Sequence, residues 1–181
     1  MKPVRWGILG VSKHFLTRVL PAMKKSAVSM PYAIASRDNA KAKTAAETFA
    51  LPVSYGSYEE LLADREIEAV FIPLPNNLHL EWIKRAADAG KHILCEKPIA
   101  MNAAEAREAA EYAQSKGVML MEAFMYRFHP RWAHVKELVS MGGIGAVTSV
   151  SVFFGYNNTD MKNIRNKVET GGGALYDIGC Y

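Results

Sequence analysis

A regular alternation of short apolar runs with helical stripes limits what this chain can fold into. VRWGILG at 4–10 reads as a strand. Residues 13–25 follow with Phe15, Leu16, Val19, Leu20 and Met23 at helical spacing. YAIAS at 32–36, EAVFIPLP at 68–75, KHILCE at 91–96 and VMLMEAF at 118–124 are further strands. Between them, Asn39 to Phe49 is Ala- and Lys-rich and helical. HLEWIKRAADAG at 79–90 sets Leu80, Ile83 and Ala87 on one face and stops at Gly90. Asn102 and Glu105 resemble a capping box that opens a helix running to Gly117. Strands alternating with helices build βαβ units, so the expected class is α/β with a mostly parallel, doubly wound sheet.

After about residue 123 the texture changes. A short amphipathic helix at 130–140 leads through Gly142-Gly143 to VTSVSVFFGY at 147–156, which alternates like a strand with two different faces. Polar residues follow, then GGGALYDIGCY. A lone strand and one helical turn cannot bury a core. The expectation is therefore a complete N-terminal dinucleotide-type domain over 1–122. The start of a second α/β (α+β) domain with an open sheet would occupy 123–181, cut off before completion.

Composition narrows the partners. With 22 Lys and Arg against 18 Asp and Glu, the net charge is +4, but the cations are scattered. A nucleic-acid surface would cluster them, so none is expected. Cys95 and Cys180 lie far apart in a Cys-poor chain, which suits reduced thiols in a cytoplasmic protein. No apolar run approaches the roughly 18 residues of a membrane span, so no membrane partner is expected. Lys13 and His14 interrupt the first apolar patch, which makes a poor signal peptide.

Four stretches carry possible chemistry. GILGVSKHF joins the first strand to the first helix, where a dinucleotide fingerprint would place a tight turn and helix amides against a pyrophosphate. Aligned to G-x-G-x-x-G, the positions are Gly10, Ser12 and Phe15, with one glycine of three. Gly7 and Gly10 could equally just end a strand. Ser36-Arg37-Asp38 closes the second strand. Arg37 could pair with a 2′-phosphate and so favour NADP, or be a solvated charge with Asp38 as a helix cap. PLPNNLH at 73–79 would turn Asn76, Asn77 and His79 to the crevice beyond the strand ends, or simply form a turn and cap. LCEKPIA at 94–100 sets Glu96 and Lys97 at the same edge, with Pro98 holding Lys97 extended. A partly desolvated lysine can accept a proton near neutral pH. His129 and His134 lack a matching ligand set, so no metal is expected.

In this order and spacing, GILG with Ser36-Arg37, PNNLH, CEKP, MEAFMYRFHP and GGGALYDIGCY resemble the Gfo/Idh/MocA oxidoreductases, along the whole chain. MEAFMYRFHP resembles the NADP-dependent sugar and trans-1,2-dihydrobenzene-1,2-diol dehydrogenase branch. The resemblance implies a Rossmann domain and a C-terminal domain whose sheet often mediates dimerisation. It implies that Lys97 is catalytic, often before a cis proline bond. It also matches the family's Asp-x-x-x-His to Asp177-x-x-x-Tyr181. On a helix, i and i+4 share a face, so both groups could reach one hydroxyl, although Asp177 could cap a turn and Tyr181 could be core. The residues expected around NADP (NAD less so) are Gly7, Gly10, Ser12, Lys13, His14, Phe15, Ser36, Arg37, Leu74, Pro75, Asn76, Asn77, His79, Glu96, Lys97 and Arg127. Arg127, His129 and Arg131 could instead contact substrate or cover the domain junction. Two functions stay open. One is an oxidoreductase acting on a sugar, polyol or dihydrodiol, a homodimer at full length. The other is an NADP-binding protein without turnover.

Overall fold

The structure is a computed structural model and describes residues 2–181. Six strands form one sheet: β1 (Val4–Leu9), β2 (Ser29–Ala35), β3 (Val53–Tyr55), β4 (Ala69–Ile72), β5 (His92–Cys95) and β6 (Leu120–Glu122). All neighbours run parallel, in the order β3-β2-β1-β4-β5-β6. The order reverses between β1 and β4, which opens a crevice beyond the carboxyl ends of those strands. The Rossmann α/β reading of the sequence thus holds.

The two faces follow from strand alternation. Ile8, Ile34 and Phe71 point to one side and meet Phe15, Leu20, Ala45 and Ala46. Those four come from the first helical segment, including α1 (Leu20–Lys25), and from α2 (Asn39–Thr48). Leu9, Ala33, Ala35, Val70 and Ile72 point to the other side. There they meet α3 (Tyr58–Ala63), α4 (His79–Asp88) and α5 (Ala103–Ser115). Burial on both faces explains why these strands read as continuous apolar runs. The first helical segment starts at Lys13-His14 and passes through a π-helical turn at Phe15–Val19 rather than running as one α-helix. β3 and α3 were not assigned from the pattern. At three and six residues, they are too short to display a period.

Caps match the sequence. The Asn102 side chain accepts from the Glu105 N–H at 2.9 Å, and Glu105 accepts from the Met101 N–H at 3.0 Å. Gly90 and Gly117 take left-handed φ of 69° each, just beyond α4 and α5. α6 (Pro130–Ser140) falls where the amphipathic pattern set it.

The strand expected over 147–156 is not formed. Residues 147–160 carry no regular structure, and Phe153 is 97% exposed. A strand is defined by backbone hydrogen bonds to a neighbour, and none of the six strands lies alongside it. Among the described residues no helix is long and apolar enough to cross a membrane.

Candidate functional site

The site grows from loops at the carboxyl ends of β1, β4 and β5, closed by the last third of the chain. After β1, Gly10 adopts φ +111°, and a Cβ there would lie 3.1 Å from Leu74 Cδ2. Only glycine suits that turn and that close approach. Ser12 Oγ accepts from the Phe15 N–H at 3.1 Å and caps the helical start. Lys13 and His14 line a cavity of about 260 Å³ beside it.

Several residues expected around the cofactor lie elsewhere. Gly7 lies inside β1, where an added Cβ would meet Leu61 Cδ2 at 2.6 Å and Ile67 Cδ1 at 3.0 Å. It admits α3 to the sheet and does not reach the crevice. The Phe15 ring is fully buried in the core, tilted against Phe71 with ring centroids 5.8 Å apart. His79 is also fully buried, with Nδ1 2.8 Å from the Pro98 carbonyl and Nε2 2.9 Å from the Leu74 carbonyl. Burial pushes its pKa down, against the pull of those two carbonyls. It fastens the β4 loop to the β5 loop and is not free to touch a ligand. Asn77 is exposed, and neither it nor Pro75 nor Arg127 lines either cavity of the site. Leu74 and Asn76 do line the smaller one, and Asn76 Nδ2 donates to the Gly171 carbonyl at 2.8 Å.

At the end of β2, Ser36 is buried and its Oγ accepts from the Asp38 N–H at 3.2 Å. Asp38 caps α2, accepting from the Lys41 N–H at 3.1 Å. The carboxylate that could serve a ribose is thus engaged. Arg37 is exposed, its guanidinium against the Tyr58 hydroxyl. These features fit a dinucleotide carrying a phosphate on its ribose. There is a turn that excludes a Cβ, helix amides beyond it, and a cation where NAD sites need an acid.

Beyond β5 stand Glu96, Lys97 and the cis-bonded Pro98. Burial raises the Glu96 pKa, which His14, with Nε2 3.5 Å away, partly offsets. Lys97 Nζ donates to the Asp177 backbone carbonyl and lies 3.2 Å from Asp177 Oδ1. It also sits 5.0 Å from the centroid of the Tyr181 ring. Asp177 belongs to a π-helical turn, Leu175–Gly179. Its carboxylate accepts from Arg165 Nε at 2.9 Å and from the Tyr156 hydroxyl at 2.8 Å. Burial alone would raise the Asp177 pKa, but these two donors, with the Arg165 and Lys97 charges, hold it below the ordinary range. Tyr181 packs against Phe124 and Tyr126, each at 5.5 Å, and burial raises its pKa.

A second, wider cleft of about 1700 Å³ adjoins the smaller cavity. His14, Glu96, Lys97, Arg165 and Asp177 line both. Aromatic and amide side chains, including Trp132, Phe154, Tyr156 and Asn157, surround the wider one. Arg165 and Tyr156 were not singled out from the sequence. Arg165 stands in a polar stretch and Tyr156 ends the alternating run 147–156, and only the fold brings them to Asp177.

A family model described as "Oxidoreductase family, NAD-binding Rossmann fold" matches residues 4–124. A second, "GFO/IDH/MocA C-terminal domain", matches residues 132–181. A D-xylose 1-dehydrogenase (NADP(+)) of Haloferax volcanii is 46% identical over 97% of this chain and 54% of its own length. A trans-1,2-dihydrobenzene-1,2-diol dehydrogenase of Xenopus tropicalis is 40% identical over 98% of this chain and 54% of its own. The crystal structure of a 3-ketoreductase from Actinomadura kijaniata, in complex with NADP and TDP-benzene, superposes with a TM-score of 0.93 at 37% identity. That match covers 99% of this chain and 55% of the reductase. The chain spans about half the length of the curated relatives it matches. On its fold and on both family matches, the chain belongs to the GFO/IDH/MocA oxidoreductase family.

Proposed function

We propose that the protein is an NADP-dependent oxidoreductase acting on a hydroxyl-bearing carbon, or the matching carbonyl, of a sugar, polyol or trans-dihydrodiol. The observation that carries this reading is the position of Lys97 on the wall between the two cavities, bonded to Asp177 and facing Tyr181. The smaller cavity, with Gly10, Ser12, Lys13, His14, Asn76 and Glu96, is the nicotinamide end of the cofactor site. Arg37, beyond β2, takes the ribose phosphate. The wider cleft takes the substrate. Bound NADP supplies the nicotinamide carbon that gives or accepts the hydride. Lys97 takes the proton of the substrate hydroxyl as the C–H bond yields its hydride, and returns it to the oxygen in reduction. Asp177 fixes the Lys97 amine through two contacts, and the Tyr181 phenol, whose pKa burial raises, donates to the same substrate oxygen. The domains are 1–122 for the cofactor and 123–181 as part of the substrate wall.

The relatives support this reading. Two are named as NADP-dependent or diol dehydrogenases, and the 3-ketoreductase is crystallised with NADP. In that reductase the lysine and tyrosine replaced in variant structures are separated by the same number of residues as Lys97 and Tyr181.

The test is Lys97→Met, assayed on aldoses, inositols and dihydrodiols with NADP. Cofactor affinity should stay within about a few-fold while kcat falls by roughly 10²–10⁴, as for loss of a general acid–base group. Undiminished kcat across pH would remove Lys97 from the chemistry. A parent protein that binds NADP but turns over none of these substrates would favour a binding role.

A further inference from the structure

Asp177 receives more donors than a lysine anchor needs. Oδ1 accepts from Arg165 Nε at 2.9 Å and faces Lys97 Nζ at 3.2 Å, while Oδ2 accepts from the Tyr156 hydroxyl at 2.8 Å. Arg165 and Tyr156 are partly exposed and lie outside the Rossmann sheet, Arg165 in a 3-10 turn (Ile164–Asn166) and Tyr156 in the irregular stretch before it. Arg165 also lines both cavities, so it sits where the cofactor and substrate spaces meet. A carboxylate is a two-oxygen acceptor with lone pairs to spare, and a cation on one oxygen with a phenol on the other fixes its plane.

We infer that Arg165 and Tyr156 are positioning residues: they lock the Asp177 carboxylate in the plane that holds Lys97 at the wall between the two cavities. The inference rests on the reading of Lys97 as the proton-transfer group. Neither residue needs to touch the reacting atoms, and both act through Asp177. With one donor removed, the carboxylate can rotate about its side-chain bonds and Lys97 loses a fixed partner. The clamp also ties the cleft wall to the Rossmann half, because Asp177 is the point where residues 156 and 165 meet the β5 loop.

The charge consequence has a definite sign. Burial disfavours the ionised Asp177, and the clamp outweighs that. The other charged groups around it are Lys97 and Glu96 beyond β5 and His14 beyond β1. Cys180 and Tyr181 follow it in the chain. Of these, Lys97 favours the carboxylate, while Glu96 and any ionised Cys180 or Tyr181 oppose it. Removing the clamp therefore moves the Asp177 titration upward in pH.

The test is carboxyl 13C NMR of the 181-residue protein labelled at aspartate, with Asp177→Asn identifying the signal. Arg165→Gln should raise the Asp177 midpoint by about one pH unit, a tenfold change in its ionisation constant. Tyr156→Phe, which deletes one hydroxyl and leaves the ring, should raise it by about half as much. Arg165→Lys keeps the charge and should recover part of the shift. A residue that only supported the loop would leave the midpoint where it was. Midpoints within about 0.2 units of the parent in both Arg165→Gln and Tyr156→Phe would overturn the inference, since one good charge-assisted bond is worth more than that. Lys97→Met bears on the catalytic reading and not on this one. Full turnover in Lys97→Met would sink the proton-transfer role while the Asp177 shifts still stood.

Discussion

Arg37 is exposed at the carboxyl end of β2, against the Tyr58 hydroxyl, while the neighbouring Asp38 is bound to its own helix. A guanidinium can hold a phosphate with two parallel bonds, and a hydroxyl-only ribose offers it much less. Arg37→Ala should therefore weaken NADP binding by about 1.5–3 kcal/mol and leave NAD nearly unchanged, read by titrating both cofactors into the same variant. Equal losses for the two would mean that Arg37 does not read the phosphate. His79 teaches the opposite lesson at this scale. Its place at the end of a crevice loop suggests a ligand contact, yet the side chain turns inward to two carbonyls. A residue's position along a strand–helix turn says which loop it belongs to. Which way its side chain points depends on the packing beneath.

Among the elements, the long helices are held by local signals. In α5 the Asn102 side chain and Glu105 satisfy each other's neighbourhoods as a capping box. Asn102→Ala should lower the unfolding free energy by about 1 kcal/mol in a urea melt, with an unchanged m-value. No measurable loss would show that the helix start is held by packing instead. The irregular turns behave differently. The π-helical turns at Phe15–Val19 and Leu175–Gly179 flank the site, one directly after His14 and the other carrying Asp177. An apolar stripe at 13–25 predicts a helix but does not reveal this break, because the same side chains satisfy either winding.

Across the whole molecule, two textures meet. The Rossmann half buries both faces of its sheet. The rest leaves Val150, Val152, Phe153 and Phe154 exposed. Backbone amides with no hydrogen-bond partner exchange at close to open-chain rates, whereas those of a buried sheet open only with the global unfolding free energy. Hydrogen exchange by mass spectrometry should show peptides from 147–157 fully exchanged within the first time point, and peptides from β1, β4 and β5 protected longest. Protection across 147–157 in the 181-residue protein would mean that this stretch finds a strand partner in solution, most simply a second copy.

By itself the sequence determined the alternation of elements, the parallel sheet, and the caps at Asn102 and Gly90. These are local: each depends on side-chain period or backbone freedom within a few residues. It also singled out Glu96, Lys97, Asp177 and Tyr181, partly by chemistry and partly by resemblance. The tertiary structure decided which of the marked residues share a space. It turned Gly7, Phe15 and His79 into the core and left Asn77 and Arg127 aside. It also brought Arg165 and Tyr156, neither marked as a site residue, onto Asp177. Bonds between residues 80 positions apart, as for Lys97 and Asp177, are set by how loops converge on a sheet edge. No periodicity along the chain encodes that distance.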